Sequence, residues 1–199
     1  MTSQNSTQTY IDWAKERLDE IEATLAAFEA GARTLQADAR SKATTAVTRV
    51  QAARDAFRKE IAEQKQATQA DLALSRKKLE VQWSAFETSA QTYLEATSER
   101  LKDGQAAFLA RTLAQRDAWQ AAIDMLQKSA VNAVAGRRAE IETTLNDLKA
   151  DAEAAKAKLD KLHKAGGVSW DAMRAALSET RTALDRAQET ALQAFKHVK

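Results

Sequence analysis

The chain contains no cysteine and no proline, and only five of its 199 residues are glycine. Because there is no thiol, disulfides, thiol nucleophiles and thiolate metal sites are all excluded. Because there is no proline, the helical patterns are nowhere broken by a residue that lacks a backbone N–H. Strand-like alternation of apolar and polar residues is also missing. We therefore predict an all-α protein.

Aromatic residues are scarce as well, at 6% of the chain, although hydrophobic residues make up 44%. Much of that hydrophobic fraction is alanine. Since burial stabilises by about 25 cal/mol per Å² of apolar surface, an alanine seam contributes far less than a leucine seam of equal length. The composition therefore favours an elongated antiparallel coiled coil or long-helix bundle, completed by a second chain, over a wide globular core.

Positive and negative side chains are nearly balanced, with 30 lysines and arginines against 28 acids and a net charge of +2. Basic runs such as Arg76-Lys77-Lys78 lie beside acids and are interpreted as solvated helix faces. A nucleic-acid partner is not expected, because proteins that bind nucleic acids present a concentrated basic face.

The polar start, MTSQNSTQTY, lacks a secretory signal pattern, and the chain has no run of about 18 apolar residues that could span a membrane. We expect a soluble, cytoplasmic protein.

Apolar residues recur at alternating spacings of three and four over the first third of the chain. This average period of 3.5 residues keeps one stripe of a helix against a partner helix. We predict a disordered polar segment over 1–8 and a helix over 9–103 that passes through Gly31 and bends near 64–71, where the pattern fades. The stripe comprises Ile11, Ala14, Leu18, Ile21, Leu25, Phe28, Ala32, Leu35, Ala39, Ala43, Ala46, Val50, Ala53, Phe57 and Ile61, and resumes at Leu72, Leu79, Trp83, Phe86, Ala90 and Tyr93. A shifted stripe follows through Leu94, Leu101 and Phe108.

Two further helices complete a single elongated helical domain over 9–199. A chain reversal is predicted near Asp103 and Gly104, close to the chain midpoint. The second helix is predicted over 105–165, with a candidate break at Gly136, and the last over 169–197. Their seams comprise Trp119, Ile123 and Leu126, then Ile141, Leu145, Leu148, Ala152, Ala155, Leu159 and Leu162, and finally Trp170, Met173, Leu177, Thr180, Leu184 and Ala187.

The segment HKAGGVSW, residues 163–170, is interpreted as a joint between two helices. Gly166 can take the left-handed conformation that closes the first helix near Ala165. Ser169 suits the N-cap of the next helix, and Asp171 suits its positive amino-terminal end. The alternative is a ligand approaching the glycine backbone, but no phosphate-binding residues lie nearby.

No catalytic, cofactor-binding or metal-binding residue is predicted. The two histidines, His163 and His197, lie on different segments. Asp160 and His163 share a helix face at i, i+3, which is half of a di-iron pattern whose second copy is missing. We interpret the pair as an ordinary charged helix end and predict a non-enzymatic protein without cofactors.

The tryptophans allow more than one interpretation. Packing in seams and corners is the plainest, while a lipid or granule interface and nucleic-acid stacking are alternatives. Two of them stand in similar contexts, VQWSAF and VSWDAM, which suggests a duplication of helical units. The four are Trp13, Trp83, Trp119 and Trp170.

The stretch AKAKLDKLHKAGGVSWDAMRAALSETRTALDRA, residues 155–187, resembles the carboxy-terminal part of a group of uncharacterised bacterial coiled-coil proteins. In that group a Lys/Leu-rich helix ends at glycine and a Trp-led amphipathic helix follows. The whole chain is similar in style to phasins, the helical proteins that coat bacterial polyester granules. The first resemblance implies no activity, and the second implies a granule surface as a partner.

Two functions follow as hypotheses. The first is a structural or adaptor coiled-coil protein that acts by self-association, as a homo-oligomer, and by contacts with other proteins. The alternative is a phasin-like or membrane-surface coat, in which amphipathic helices lay their apolar stripes on lipid or a hydrophobic granule.

Overall fold

The computed structural model describes residues 2–33, 35, 37–63, 68–97, 101–131, 135–165 and 169–196. Within these ranges the regular structure is entirely helical, which confirms the all-α prediction. The helices are α1 (Thr2–Ala32), α2 (Ala37–Glu63), α3 (Gln69–Ala96), α4 (Leu101–Val131), α5 (Ala135–Ala165) and α6 (Trp170–Lys196).

The chain divides into two compact units rather than the single domain predicted from the sequence. Unit 1 covers Met1–Ala114 and unit 2 covers Gln115–Lys199. Unit 1 holds α1, α2, α3 and the first part of α4, while unit 2 holds the remainder of α4 with α5 and α6.

In unit 1, polar contacts define how α1 and α2 lie beside each other. Gln51 donates a hydrogen bond to Glu29 at 2.9 Å, and Arg58 donates one to Glu22 at 2.9 Å. The partner of the later α1 residue, Glu29, comes earlier in α2 than the partner of Glu22. The chain therefore reverses direction between these two helices.

Helices α1 and α3 are related differently, because their contacts keep a constant offset in residue number. The Tyr10 and Ser75 hydroxyls are hydrogen-bonded, and the Tyr93 hydroxyl donates to the Phe28 carbonyl at 2.9 Å. The rings of Phe28 and Tyr93 also stack, with centroids 3.8 Å apart. In both pairs the partners are 65 residues apart, so α3 runs beside α1 in the same direction.

The prediction of one helix over 9–103 is wrong, because the chain forms three helices there. Helix α1 begins at Thr2, inside the segment predicted to be disordered, and ends at Ala32, directly after Gly31. The amide of Leu35 donates to the carbonyl of Ala32 at 3.3 Å, and the Leu35 side chain is buried. A turn that buries this leucine thus ends α1, although apolar residues continue at spacings of three and four through the turn.

The predicted bend near 64–71 is an interruption between α2 and α3, and residues 64–67 lie outside the described ranges. Thr68 is the N-cap of α3, with extended backbone at φ −76° and ψ 167°. Its side chain accepts from the Asp71 amide, and Asp71 in turn accepts from the Thr68 amide at 3.0 Å. This reciprocal capping box fixes the start of α3.

The reversal predicted at Asp103 and Gly104 is also misplaced, because Gly104 lies inside α4. Helix α3 ends earlier, where the amide of Thr97 donates to the carbonyl of Tyr93 at 3.1 Å. Gly136 likewise lies within α5, and the interruption falls between Val131 and Ala135. Glycine alone therefore does not mark the helix ends in this chain.

The predicted joint before α6 is confirmed where the structure describes it. Helix α5 ends at Ala165. The Ala172 amide donates to the Ser169 hydroxyl at 3.4 Å, as expected for an N-cap. Residues 166–168, which include Gly166, lie outside the described ranges.

Most residues of the predicted seams are buried, although Ile11, Leu18, Ile61 and Leu162 are only partly buried. In unit 1 the buried seam residues include Ala14, Ile21, Leu25, Phe28, Ala43, Val50, Phe57, Leu72, Leu79, Phe86 and Tyr93. In unit 2 one cluster contains Trp119, Ala122, Ile123, Leu126, Ile141, Leu145, Leu148, Ala155 and Leu184.

Candidate functional site

A buried ion cluster in unit 1 joins three helices. Arg111 of α4 is fully buried and donates from Nε to Oε2 of Glu20 in α1 at 3.0 Å. Its two other guanidinium nitrogens donate to the carboxylate of Glu87 in α3, at 2.6 and 3.3 Å. Both carboxylates therefore bind one guanidinium, Glu87 in the bidentate geometry that favours arginine over lysine.

The two carboxylates favour the charged form of Arg111. Burial alone would lower the pKa of Arg111, but the carboxylates of Glu87 and Glu20 outweigh it and raise the pKa above its ordinary value. Loss of either carboxylate would remove one of the two counter-charges of a buried guanidinium, which is more costly than losing an exposed ion pair.

A column of alternating cations and aromatic rings runs beside the cluster in unit 1. The Arg76 guanidinium lies 4.8 Å from the ring centroid of Trp13, and the Arg17 guanidinium lies 4.2 Å from the same ring. Arg17 is also 5.9 Å from the Trp83 ring, and Arg111 is 5.6 Å from it. Each separation is within the range of a cation–π interaction. Trp13 and Trp83 thus pack against charge inside the unit.

The sequence offers two partial signals for this cluster. From Gly104 to Gln115 the only ionisable residue is Arg111, and it stands three residues after Phe108, in phase with the apolar stripe. A charge in a seam position of an otherwise uncharged segment indicates a buried ion pair. Nothing in the sequence identifies Glu20 and Glu87 as its partners, because several other acids have equivalent spacing on their helices.

Unit 2 contains a smaller buried polar cluster. Gln115 donates from Nε2 to the Leu177 carbonyl at 2.8 Å and accepts from the Thr180 hydroxyl at 2.5 Å. All polar atoms of the Gln115 side chain thus have partners, which ties α4 to α6 within this unit.

The pair that matched half of a di-iron pattern, Asp160 and His163, is not joined by further metal ligands in the described part of the chain. Asp160 and His163 are both exposed on α5, and His197 lies outside the described ranges. Among the described residues no group of three or more histidines and acids could hold a metal ion. Trp13 and Trp119 are buried and Trp83 and Trp170 half-buried, consistent with packing positions.

Two exposed sets of apolar residues contrast with these cores. The α4 stripe consists of Ala106, Leu109 and Leu113, all exposed, with the two leucines at 40% and 41%. The α3 face consists of Leu74 and Val81, exposed at 58% and 66%, with Lys77 and Lys78 between them. Exposed apolar residues grouped on one side of a helix are candidate surfaces for binding a partner.

Comparisons with protein-family models, with curated proteins and with solved structures give no match for this chain. In the part of the chain that the structure describes, no helix combines the length and apolarity needed to cross a bilayer.

Proposed function

We propose that this protein is a non-enzymatic structural or adaptor protein of the antiparallel coiled-coil type, which acts by self-association and by contacts with other proteins. The observation that carries this proposal is the α4 stripe. Ala106, Leu109 and Leu113 follow one another at spacings of three and four, the spacing of a coiled-coil seam, and all three are exposed.

Charge favours a second copy of the chain as the occupant of the α4 stripe. Between Gly104 and Gln115 the only ionisable side chain is Arg111, and it is fully buried. Two copies of this segment can therefore meet about a two-fold axis without bringing like charges together. Leu109 of one copy would pack near Leu113 of the other, removing from water the leucine surface that each copy exposes.

Sedimentation velocity over a range of concentrations tests the proposal. The wild-type chain should associate, and Leu109→Gln/Leu113→Gln should weaken association by about a hundredfold, because up to four leucines lose their burial. Circular dichroism should be unchanged, since both leucines are exposed in the single chain.

The matched control is Leu74→Gln/Val81→Gln, which removes two apolar residues of α3 that are even more exposed, and should leave the native mass unchanged. A wild-type protein that stays monomeric at high micromolar concentration would contradict the proposal. So would a Leu109→Gln/Leu113→Gln variant that associates as strongly as the wild type.

A further inference from the structure

The α3 face has a different character from the α4 stripe, because it combines apolar and basic side chains. Leu74 and Val81 are seven residues apart and so project from the same side of α3. On a helical projection Lys77 and Lys78 lie on opposite sides of this pair, each within about 60° of Leu74. All four side chains are exposed. The apolar centre is thus flanked by positive charge on both sides.

The acids closest along α3 are already engaged elsewhere. Asp71 accepts hydrogen bonds from both the amide and the hydroxyl of Thr68, at 3.0 and 2.6 Å. Glu80 pairs with Arg76 at 3.4 Å. Neither Lys77 nor Lys78 forms an ion pair within the described part of the chain. Their charge is therefore available to an external anion.

The spacing argues against a partner helix as the occupant of this face. A helix–helix seam needs apolar residues at both the three- and four-residue steps. Ala70 and Ala85 continue the face at four-residue steps, but both positions that could join Leu74 to Val81 are lysines, Lys77 and Lys78. A flat surface makes no such demand, because only the outermost side chains must reach it.

We propose that the α3 face docks the folded protein on an anionic lipid bilayer. Leu74 and Val81 enter the headgroup boundary, while the lysines extend their carbon stems along the surface and place their ammonium groups on lipid phosphates. The helices need not open, since these residues are exposed in the folded chain. This surface shares no residue with the α4 stripe, so the inference goes beyond the proposed self-association.

Vesicle flotation tests the docking. The full-length protein should float with phosphatidylglycerol–phosphatidylcholine vesicles at low salt, and should remain behind with pure phosphatidylcholine or at high salt, where the charges are screened. Lys77→Gln/Lys78→Gln should reduce the partition coefficient about 25-fold, about fivefold for each lysine. Lys77→Arg/Lys78→Arg should restore binding, and Leu74→Ser/Val81→Ser should weaken it with both lysines present.

Lys42→Gln/Lys59→Gln, which removes two exposed lysines from α2, is the matched control and should float like the wild type. Equal flotation of the wild type with neutral and anionic vesicles, or undiminished flotation of Lys77→Gln/Lys78→Gln, would overturn the proposal. Failure of the wild type to float would overturn it too. In that case saturable binding of a synthetic acidic amphipathic peptide, lost in Lys77→Gln/Lys78→Gln, would assign the face to a protein partner. Sedimentation of the same variants reports self-association separately.

Discussion

Arg111 and Glu20 are 91 residues apart in the chain, yet the guanidinium Nε lies 3.0 Å from the carboxylate and both side chains are almost fully buried. This ion pair links the first helix to the fourth inside unit 1. Because these charges are shielded from water, losing one partner should cost more than losing a partner of the exposed ion pairs on the helix surfaces.

We predict that Glu20→Gln lowers the free energy of unfolding by about 3 kcal/mol, because the buried guanidinium loses one of its two counter-charges. Urea denaturation followed by tryptophan fluorescence measures the change. Unit 1 carries its own reporters in Trp13 and Trp83.

The matched control is Glu22→Gln, two residues away on the same helix. Glu22 pairs with Arg58 at 2.7 Å, but both side chains are well exposed, so its loss should change stability by no more than about 0.5 kcal/mol. Equal effects of the two substitutions would mean that the buried cluster contributes no more than a surface ion pair.

Periodicity predicted the helical class and most of the buried residues, because each seam residue contributes its own local signal. Ile21, Phe28 and Phe57 show this: their spacing identified them as core, and they are buried. The same spacing could not locate the turn after Ala32, since Leu35 fits the helical stripe and the turn equally well. Which acids contact Arg111 depends on how three helices are arranged, and a pattern within one helix carries no information about that.

The capping box of α3 allows a prediction that also depends on pH. Thr68→Ala should destabilise the protein by about 1 kcal/mol at neutral pH, because the Asp71 amide loses its acceptor. The side-chain and backbone hydrogen bonds from Thr68 lower the pKa of Asp71. A carboxyl group whose pKa is lowered by folding stabilises the folded state at any pH above its unfolded-state pKa. This contribution to the free energy of unfolding is lost as the pH falls through the lower pKa of the folded state.

The difference between the wild type and Thr68→Ala should accordingly shrink in acid, and NMR titration should show the Asp71 pKa rising toward its ordinary value in the variant. Thr88→Ala provides the control within α3. Its hydroxyl donates only to the Ser84 carbonyl of its own helix, at 3.0 Å, so the substitution should be neutral at every pH. An Asp71 pKa that does not move would show that the capping box does not persist in solution.

The cation–π column predicts a measurable coupling between Arg76 and Trp13. In a double-mutant cycle with Arg76→Gln and Trp13→Leu, the coupling energy should be about 0.5 to 1 kcal/mol, because the guanidinium lies 4.8 Å from the ring and is partly exposed. A parallel cycle with Lys77→Gln should give no coupling, since Lys77 is exposed on the same helix and the cations over that ring are Arg17 and Arg76. Equal coupling in both cycles would indicate a general charge effect.

The core of unit 2 should not tolerate a charge at Leu145. This side chain is buried among Ile141, Leu148 and other apolar residues, so Leu145→Asp places a carboxylate where no partner is available. We expect a loss of about 3 to 4 kcal/mol in the free energy of unfolding, with Trp119 fluorescence as the reporter in the same cluster. Asn146→Asp introduces the same residue at the next, exposed position and should change stability by less than about 0.5 kcal/mol. If Leu145→Asp unfolds with the same free energy as Asn146→Asp, the side chain of Leu145 is not buried in solution and the seam through α5 is misassigned.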